Sequence, residues 1–168
     1  MPRSFEMATD YDATVEQVHA AMRAEQYWLA RLDDSGADEA RLDRFTTTSD
    51  GGVDVVTTQV LFPDRLPGFV RQVHRGELAV VREETWGPVG DGRAAVTVRG
   101  SVPSAPVRLH GSGTLAAAGA GSRLTFTATV EVRIPLLGGR LEEFIGGQLM
   151  QLLIAEQRFT TAWIRRTA

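Results

Sequence analysis

Glu156 is the side chain in this sequence hardest to reconcile with an inert position. At about 100° per residue, it and Gln148 fall within an otherwise apolar helical face near the carboxyl end. A carboxylate there is costly to bury unless it is paired, hydrogen-bonded, protonated or wetted by a cavity. The functional reading is a polar anchor for a ligand head group; the plainer one, which carries more weight, is a pocket-rim residue or an internal ion pair. Arg82 and Glu84 form a second candidate pair. They alternate with Leu78, Val80 and Trp86 at the two-residue period of a strand, so an inward face would carry an Arg–carboxylate pair able to recognise a ligand's polar end. With the opposite parity Val81 and Glu83 point inward instead. Strand ends twist and bulge, both parities stay open, and a solvated charge pair is the favoured reading.

Other chemistry finds little footing. His19, His74 and His110 have no mutual spacing that suggests a metal site, and each reads as structural or solvent-facing. Asp33, Asp34, Asp38 and Glu39 lack the ordered spacing of a calcium loop and read as a solvated turn. Gly111-Ser112-Gly113 does not open a helix after a strand and so fails as a phosphate cradle. Ser112 and Ser122 have no base in a suitable context, so no catalytic residue, metal or cofactor is assigned. Aromatics are better candidates. Trp28, Phe69, Trp86, Phe126, Phe159 and Trp163 fall on expected inward faces or near pocket mouths, where apolar sites take such groups, although core packing accounts for most of them one by one.

Composition narrows the partners. All 18 basic residues are arginine against 21 acidic ones, and the net charge of −3 comes without a basic block that could track a phosphate backbone, so nucleic acid is not expected. The absence of cysteine excludes disulfides, thiolate metal sites and a thiol nucleophile. The amino-terminal residues lack the apolar run of a signal peptide, and the longest apolar stretch, 144–154, is short and broken by Gln148 and Gln151. A cytoplasmic protein without an integral membrane segment is the expectation. At 168 residues and 43% hydrophobic content, one domain over 1–168 is expected.

The elements that would position these residues follow from periodicity. Phe5, Met7, Thr9 and Tyr11 share one face of a first strand. Thr14 and Gln17 have the spacing of a capping box, opening a helix to about Arg23 with Val15, Val18 and Met22 as its apolar stripe. A second short helix around 26–32 carries Tyr27, Trp28 and Leu32, and a turn over 33–39 ends it. Strands are expected near 40–48, 53–62, 77–86, 94–102, 106–116 and 123–134, with hairpin turns at Asp50-Gly51-Gly52, Gly90-Asp91-Gly92 and 119–122. Their alternation suits an antiparallel meander. Between Phe62 and Glu77, Pro67 fits the first turn of a short helix with Leu66, Phe69, Val70 and Val73 on one face. From Pro135 onward a long helix presents Leu141, Phe144, Ile145, Leu149, Leu152, Leu153, Phe159, Trp163 and Ile164 inward, with Glu142 and Glu143 at its flanks or opposite. Met150 and Ile154 lie on the far face, compatible with a monomer or a weak homodimer.

This order of elements resembles the START-like superfamily, also called SRPBCC or helix-grip proteins. The segment 11–18 (Tyr11-Asp12-Ala13-Thr14-Val15-Glu16-Gln17-Val18) is similar to the family's passage from first strand to first helix, and 134–142 to the start of its closing helix. Glu83-Glu84-Thr85-Trp86 together with Arg158-Phe159-Thr160 resembles an uncharacterised actinobacterial group within it. The resemblance implies an α+β helix-grip fold: a curved antiparallel sheet of about seven strands around a long carboxyl-terminal helix, with two short helices after the first strand. It also implies a cavity between sheet and helix for a small hydrophobic or lipid-like molecule. The inward faces read above then give the candidate contacts, Phe69, Trp86, Phe126, Gln148, Leu149, Leu152, Glu156, Phe159 and Trp163, with Arg82 and Glu84 as candidate polar anchors. A carrier or sensor with a gate over 66–73 is the preferred expectation. A polyketide cyclase, dehydratase or hydrolase using Glu156, Arg82 or Glu84, and a cochaperone-like interaction module, are the alternatives; fold alone does not choose among them.

Overall fold

A computed structural model describes residues 2–168. Its elements run β1 (Arg3–Tyr11), α1 (Val15–Met22), α2 (Glu25–Asp34), β2 (Glu39–Thr47), β3 (Val53–Leu61), α3 (Gly68–Arg71), β4 (Leu78–Trp86), β5 (Arg93–Val102), β6 (Val107–Ala118), β7 (Gly121–Val132) and α4 (Gly138–Thr167). The seven strands form one antiparallel sheet in the order β1-β7-β6-β5-β4-β3-β2. Strands β2 to β7 are the expected meander, and β1 joins it at β7. The fold is the α+β helix grip, with α4 lying across the inner face.

Local chemistry sets the entry to the helical layer. Thr14 Oγ1 accepts from the Gln17 amide at 3.1 Å while Gln17 Oε1 accepts from the Thr14 amide at 2.9 Å, so α1 begins with a reciprocal capping box. Such a cap stabilises a helix by about 0.5–2 kcal/mol. Helix α2 extends through Asp33 and Asp34, which the sequence pattern assigns to a turn, because Gly36, at φ +76°, is the residue that takes the left-handed conformation and ends the unit. Trp28 is fully buried and its indole donates to the Met22 carbonyl at 2.8 Å, which locks α2 against the end of α1.

The sheet's inner face is set by register. Trp86 pairs with Val96, Glu84 with Val98 and Arg82 with Gly100, and these in turn face Gly113, Gly111 and Leu109 on β6. Even-numbered residues of β4 and β5 therefore point toward α4. That resolves the parity of β4: Arg82 and Glu84 point inward, while Glu83 points outward to a 4.0 Å pair with Arg44. The solvated reading of Arg82 and Glu84 is corrected, since both are largely buried, with side chains 16% and 11% exposed.

Two buried clusters fill the grip unevenly. One, around Val18, Trp28, Val53, Trp86 and Leu115, packs α1 and α2 on the sheet; the other, around Val130, Val132 and Leu141, sits where α4 begins. Between them the inner face carries glycines. A Cβ added at Gly111 would stand 2.5 Å from the Phe126 ring, and one at Gly113 would stand 2.8 Å from it. The ring of Phe126 thus lies flat along β6 instead of standing up toward α4. Space remains beneath the helix.

The start of α4 is tied down by a carboxylate that the helical pattern places at the flank. Glu142 is fully buried, and its Oε2 accepts from the Val132 amide at 2.9 Å; its Oε1 lies 3.9 Å from Nε of Arg3. The placement is corrected because the amide of Val132, the last residue of β7, turns inward where the chain leaves the sheet, and a carboxylate one turn into α4 meets it.

Candidate functional site

The space under α4 is a cavity of about 300 Å³, at the lower end of the range for small-molecule sites. Val70, Val73 and His74, from α3 and the turn after it, line one end with Ile134 and Phe144; Tyr11, Glu84, Trp86 and Glu156 line the other. Aliphatic and aromatic surface dominates in between, including Phe126, Leu149 and Leu152. No helix of the described residues is long and apolar enough to cross a membrane, and among those residues no group of three or more His, Asp or Glu could hold a metal ion.

The inner end is charged. Arg82 Nη2 donates to Glu156 Oε2 at 2.7 Å and lies 3.5 Å from Glu84 Oε2. Arg31 Nη2 reaches the same two oxygens, at 2.6 Å from Glu156 and 3.6 Å from Glu84. Its approach lies off the hydrogen-bonding direction, so it is an ion pair only. Glu84 Oε1 accepts from the Trp86 indole at 3.1 Å. Three elements, α2, β4 and α4, thus contribute two cations and two carboxylates to one partly buried cluster.

A hydrogen-bond relay supports it from behind. Arg31 Nη1 donates to the Tyr27 hydroxyl at 3.4 Å, that hydroxyl donates to Thr160 Oγ1 at 2.6 Å, and Thr160 donates to the Glu156 carbonyl at 2.7 Å. The guanidinium of Arg31 also stacks over the Trp28 ring at 4.6 Å. A second, smaller cavity of about 70 Å³, bounded by Trp28, Leu32, Thr57 and Phe159, shares Arg31, Arg82 and Glu156 with the first. The cluster is the partition between the two.

Burial raises both Glu84 and Glu156 above the ordinary carboxylate value; the charge of Arg31 pulls each down, and repulsion from Glu156 adds to the rise at Glu84. Burial works against the Arg31 cation, but Glu156, Tyr27 and Glu84 outweigh it and hold its pKa above the usual value. Tyr11 and Tyr27 are pushed upward chiefly by burial, so both phenols stay neutral.

The expected contacts divide between cavity and core. Trp86, Phe126, Leu149, Leu152 and Glu156 line the main cavity, as do Arg82 and Glu84. Gln148 does not, and is exposed. Phe144 and Leu152, four residues before and after it, do line the cavity, but Gln148 between them keeps its amide in solvent, where it needs no partner inside an apolar space. Phe159 and Trp163 pack against Tyr27, with ring centroids 5.8 and 5.9 Å away, and belong to the core behind the cluster. Phe69 stands outside the wall, edge-on to Phe144 at 5.1 Å with Arg140 over its face at 4.6 Å. Of the histidines, His19 is buried with Nε2 2.7 Å from the Gly87 carbonyl, His74 lines the cavity's outer end, and His110 is exposed.

The residue missed by sequence reasoning is Arg31. Its signal is present in the chain: it follows Tyr27 by four and Trp28 by three, which puts a guanidinium on the buried face of α2.

Comparison with known proteins places the chain in a family and a fold. Residues 6–164 match the model described as "Protein of unknown function (DUF2505)", and the chain belongs to that family. It is 48% identical over 170 residues to the "Uncharacterized protein Rv0481c" of Mycobacterium tuberculosis (strain ATCC 25618 / H37Rv) and equally to an uncharacterized protein of Mycobacterium bovis, with 98% of each chain covered. Among solved structures, TTHA0849 from Thermus thermophilus superposes with a TM-score of 0.62 at 14% identity, covering 99% of both chains. Norcoclaurine synthase from Thalictrum flavum gives 0.59 at 12% identity over 98% of this chain and 87% of that one. Ara h 8.0201 gives 0.56 at 11% identity over 99% of both. Likeness at that identity is likeness of fold, the helix grip.

Proposed function

We propose that the protein binds a small, mainly apolar molecule in the cavity between the sheet and α4, as a carrier or sensor. The observation that carries this reading is an apolar space of about 300 Å³ kept open over Gly111 and Gly113 and ended by the Arg31–Arg82–Glu84–Glu156 cluster. An apolar body and a few convergent polar groups are the usual make-up of a ligand site. Trp86, Phe126, Leu149 and Leu152 would contact the body of the ligand, and Glu156 with Arg82 would meet its polar end. The segment from Leu66 to Val73, which reaches the outer end through Val70 and Val73, would act as the gate.

The test is to purify the protein gently, denature it, and identify compounds in the organic extract by mass spectrometry. A stoichiometric apolar compound is expected. Failure both to recover one and to take up a neutral apolar dye such as N-phenyl-1-naphthylamine sinks the reading.

One observation favours a second reading, an enzyme of the cyclase, dehydratase or hydrolase kind. Two carboxyls held above their ordinary range face a cavity, which is a property of acid–base sites. A norcoclaurine synthase of this fold is known in complex with dopamine and hydroxybenzaldehyde. Turnover of a recovered compound, abolished by Glu156→Gln, would decide for it.

A further inference from the structure

We infer that the ligand's polar end is an uncharged hydroxyl, seated between Glu156 and Tyr11 at the inner end of the cavity. The inference rests on the binding reading above and names the chemical class of the ligand.

The first argument is charge. Arg31 and Arg82 balance Glu84 and Glu156, and all four side chains lie within 4 Å of an opposite partner, so the ionised cluster is neutral as a whole. A carboxylate ligand brought to that end adds a third anion to a site with two cations. An ammonium adds a third cation to a site with two anions. Either charge would be desolvated without a counter-ion of its own, which is strongly unfavourable in an apolar cavity.

The second argument is a hydrogen-bond inventory. Glu156 Oε2 takes both arginines, while its Oε1 has no partner among the described residues, on a side chain that retains 21% exposure. Nε of Arg82 is a buried donor without an acceptor. The cluster therefore has a free acceptor at its surface and a spare donor behind it. A carboxylate only accepts and an ammonium only donates; a hydroxyl does both.

The third argument is Tyr11. Its ring is buried and lines the cavity, near enough to the cluster for Glu156, Arg31 and Glu84 to act on its phenol, yet no hydrogen bond among those of the described residues engages that hydroxyl. Thr160, the other hydroxyl there, is already committed to Tyr27 and to the Glu156 carbonyl. A ligand hydroxyl that donates to Glu156 Oε1 and accepts from Tyr11 completes both groups without changing the charge of the site.

The experiment compares 1-decanol, decanoate and decylammonium as displacers of N-phenyl-1-naphthylamine from the full chain at pH 8. Decanol is expected to displace the dye at about tenfold or more lower concentration than either ion, since each tenfold step is a modest difference in binding free energy. Glu156→Gln gives the cluster one net positive charge and is expected to move the preference to decanoate. Tyr11→Phe, which removes a single oxygen from a folded core, is expected to weaken decanol several-fold and leave decanoate unchanged. Equal or tighter displacement by either ion in the wild-type protein overturns the inference while leaving the cavity reading intact. Dye that never binds overturns both.

Discussion

Nη2 of Arg31 and Oε2 of Glu156 meet at 2.6 Å, one from α2 and one from α4, with Arg82 of β4 on the same oxygen at 2.7 Å. The contact forms only when both helices are seated on the sheet, so the cluster that ends the cavity also reports that the grip has closed.

Replacing Arg31 with methionine tests that coupling. The variant keeps much of the apolar stem over Trp28 but leaves Glu84 and Glu156 with Arg82 alone. Removing one partner of a buried ionic group costs about 3–5 kcal/mol, against about 0–1 kcal/mol for a surface pair. Urea unfolding is expected to show a loss in the first range; a loss in the second would mean the cluster is well hydrated. Arg31→Lys is expected to rescue poorly, since an ammonium lacks the plane that stacks on Trp28 at 4.6 Å.

The carboxyls make stability fall as pH rises. Both Glu84 and Glu156 have folded-state pKa values above the ordinary value of 4.5, so the folded protein binds more protons than the unfolded chain in the interval between. Their contribution is therefore fully present below about pH 4.5 and is lost as pH climbs through the raised folded values. The charged or titratable groups facing them are Tyr11 from β1, Tyr27 and Arg31 from α2, and Arg82 from β4. Asp10 and Asp50 are lowered by hydrogen bonds, to Arg123 and to Thr48 respectively, and act in the opposite direction from the surface. Denaturation from pH 4 to 8 is expected to show a flatter or rising profile in Glu84→Gln/Glu156→Gln relative to wild type. Parallel profiles would mean that neither carboxyl titrates in that interval.

Much of this architecture is legible in the residues. Period-two alternation and the turns between locate all seven strands within a few positions, most plainly β1, β5 and β7, where buried and exposed positions alternate, and the Thr14–Gln17 spacing marks the start of α1. The orientation of β4 is not legible, since Arg82, Glu83 and Glu84 put charge on both faces and only pairing with Gly100 and Val98 assigns them. The site is half legible. Glu156 stands out as a carboxylate within an apolar face, whereas Arg31 is hidden on a helix whose inward face is marked by its apolar residues alone. Glu142 is misplaced because helical period alone does not include the inward-turned amide of Val132, and Gln148 because period does not tell whether a polar side chain beside the cavity turns into it or into solvent.

Glu142 separates that structural role from binding. Its carboxylate satisfies the Val132 amide inside the protein, so Glu142→Ala leaves a buried donor unpaired at a cost of about 1–3 kcal/mol. Glu142→Gln keeps an acceptor and is expected to recover most of the loss. Thermal melts of the two variants check this, and dye affinity at saturating folded protein is expected to be unchanged, because Glu142 does not line the cavity.

Gly111 tests why a cavity exists at all. A side chain there would meet the Phe126 ring at 2.5 Å and the Thr127 carbonyl at 2.8 Å, so both the ring and the pairing of β6 with β7 must give. In Gly111→Ala the ring is expected to lift off β6 into the cavity toward Leu149 and Leu152. Overpacking of the ring costs about 1–3 kcal/mol and the carbonyl contact adds to it, so dye uptake is compared on the folded fraction. Dye uptake is expected to fall several-fold, and Gly111→Ala/Phe126→Leu, with a shorter side chain in place of the ring, to regain it. Uptake unchanged in the single variant would mean that Phe126 does not hold the space open.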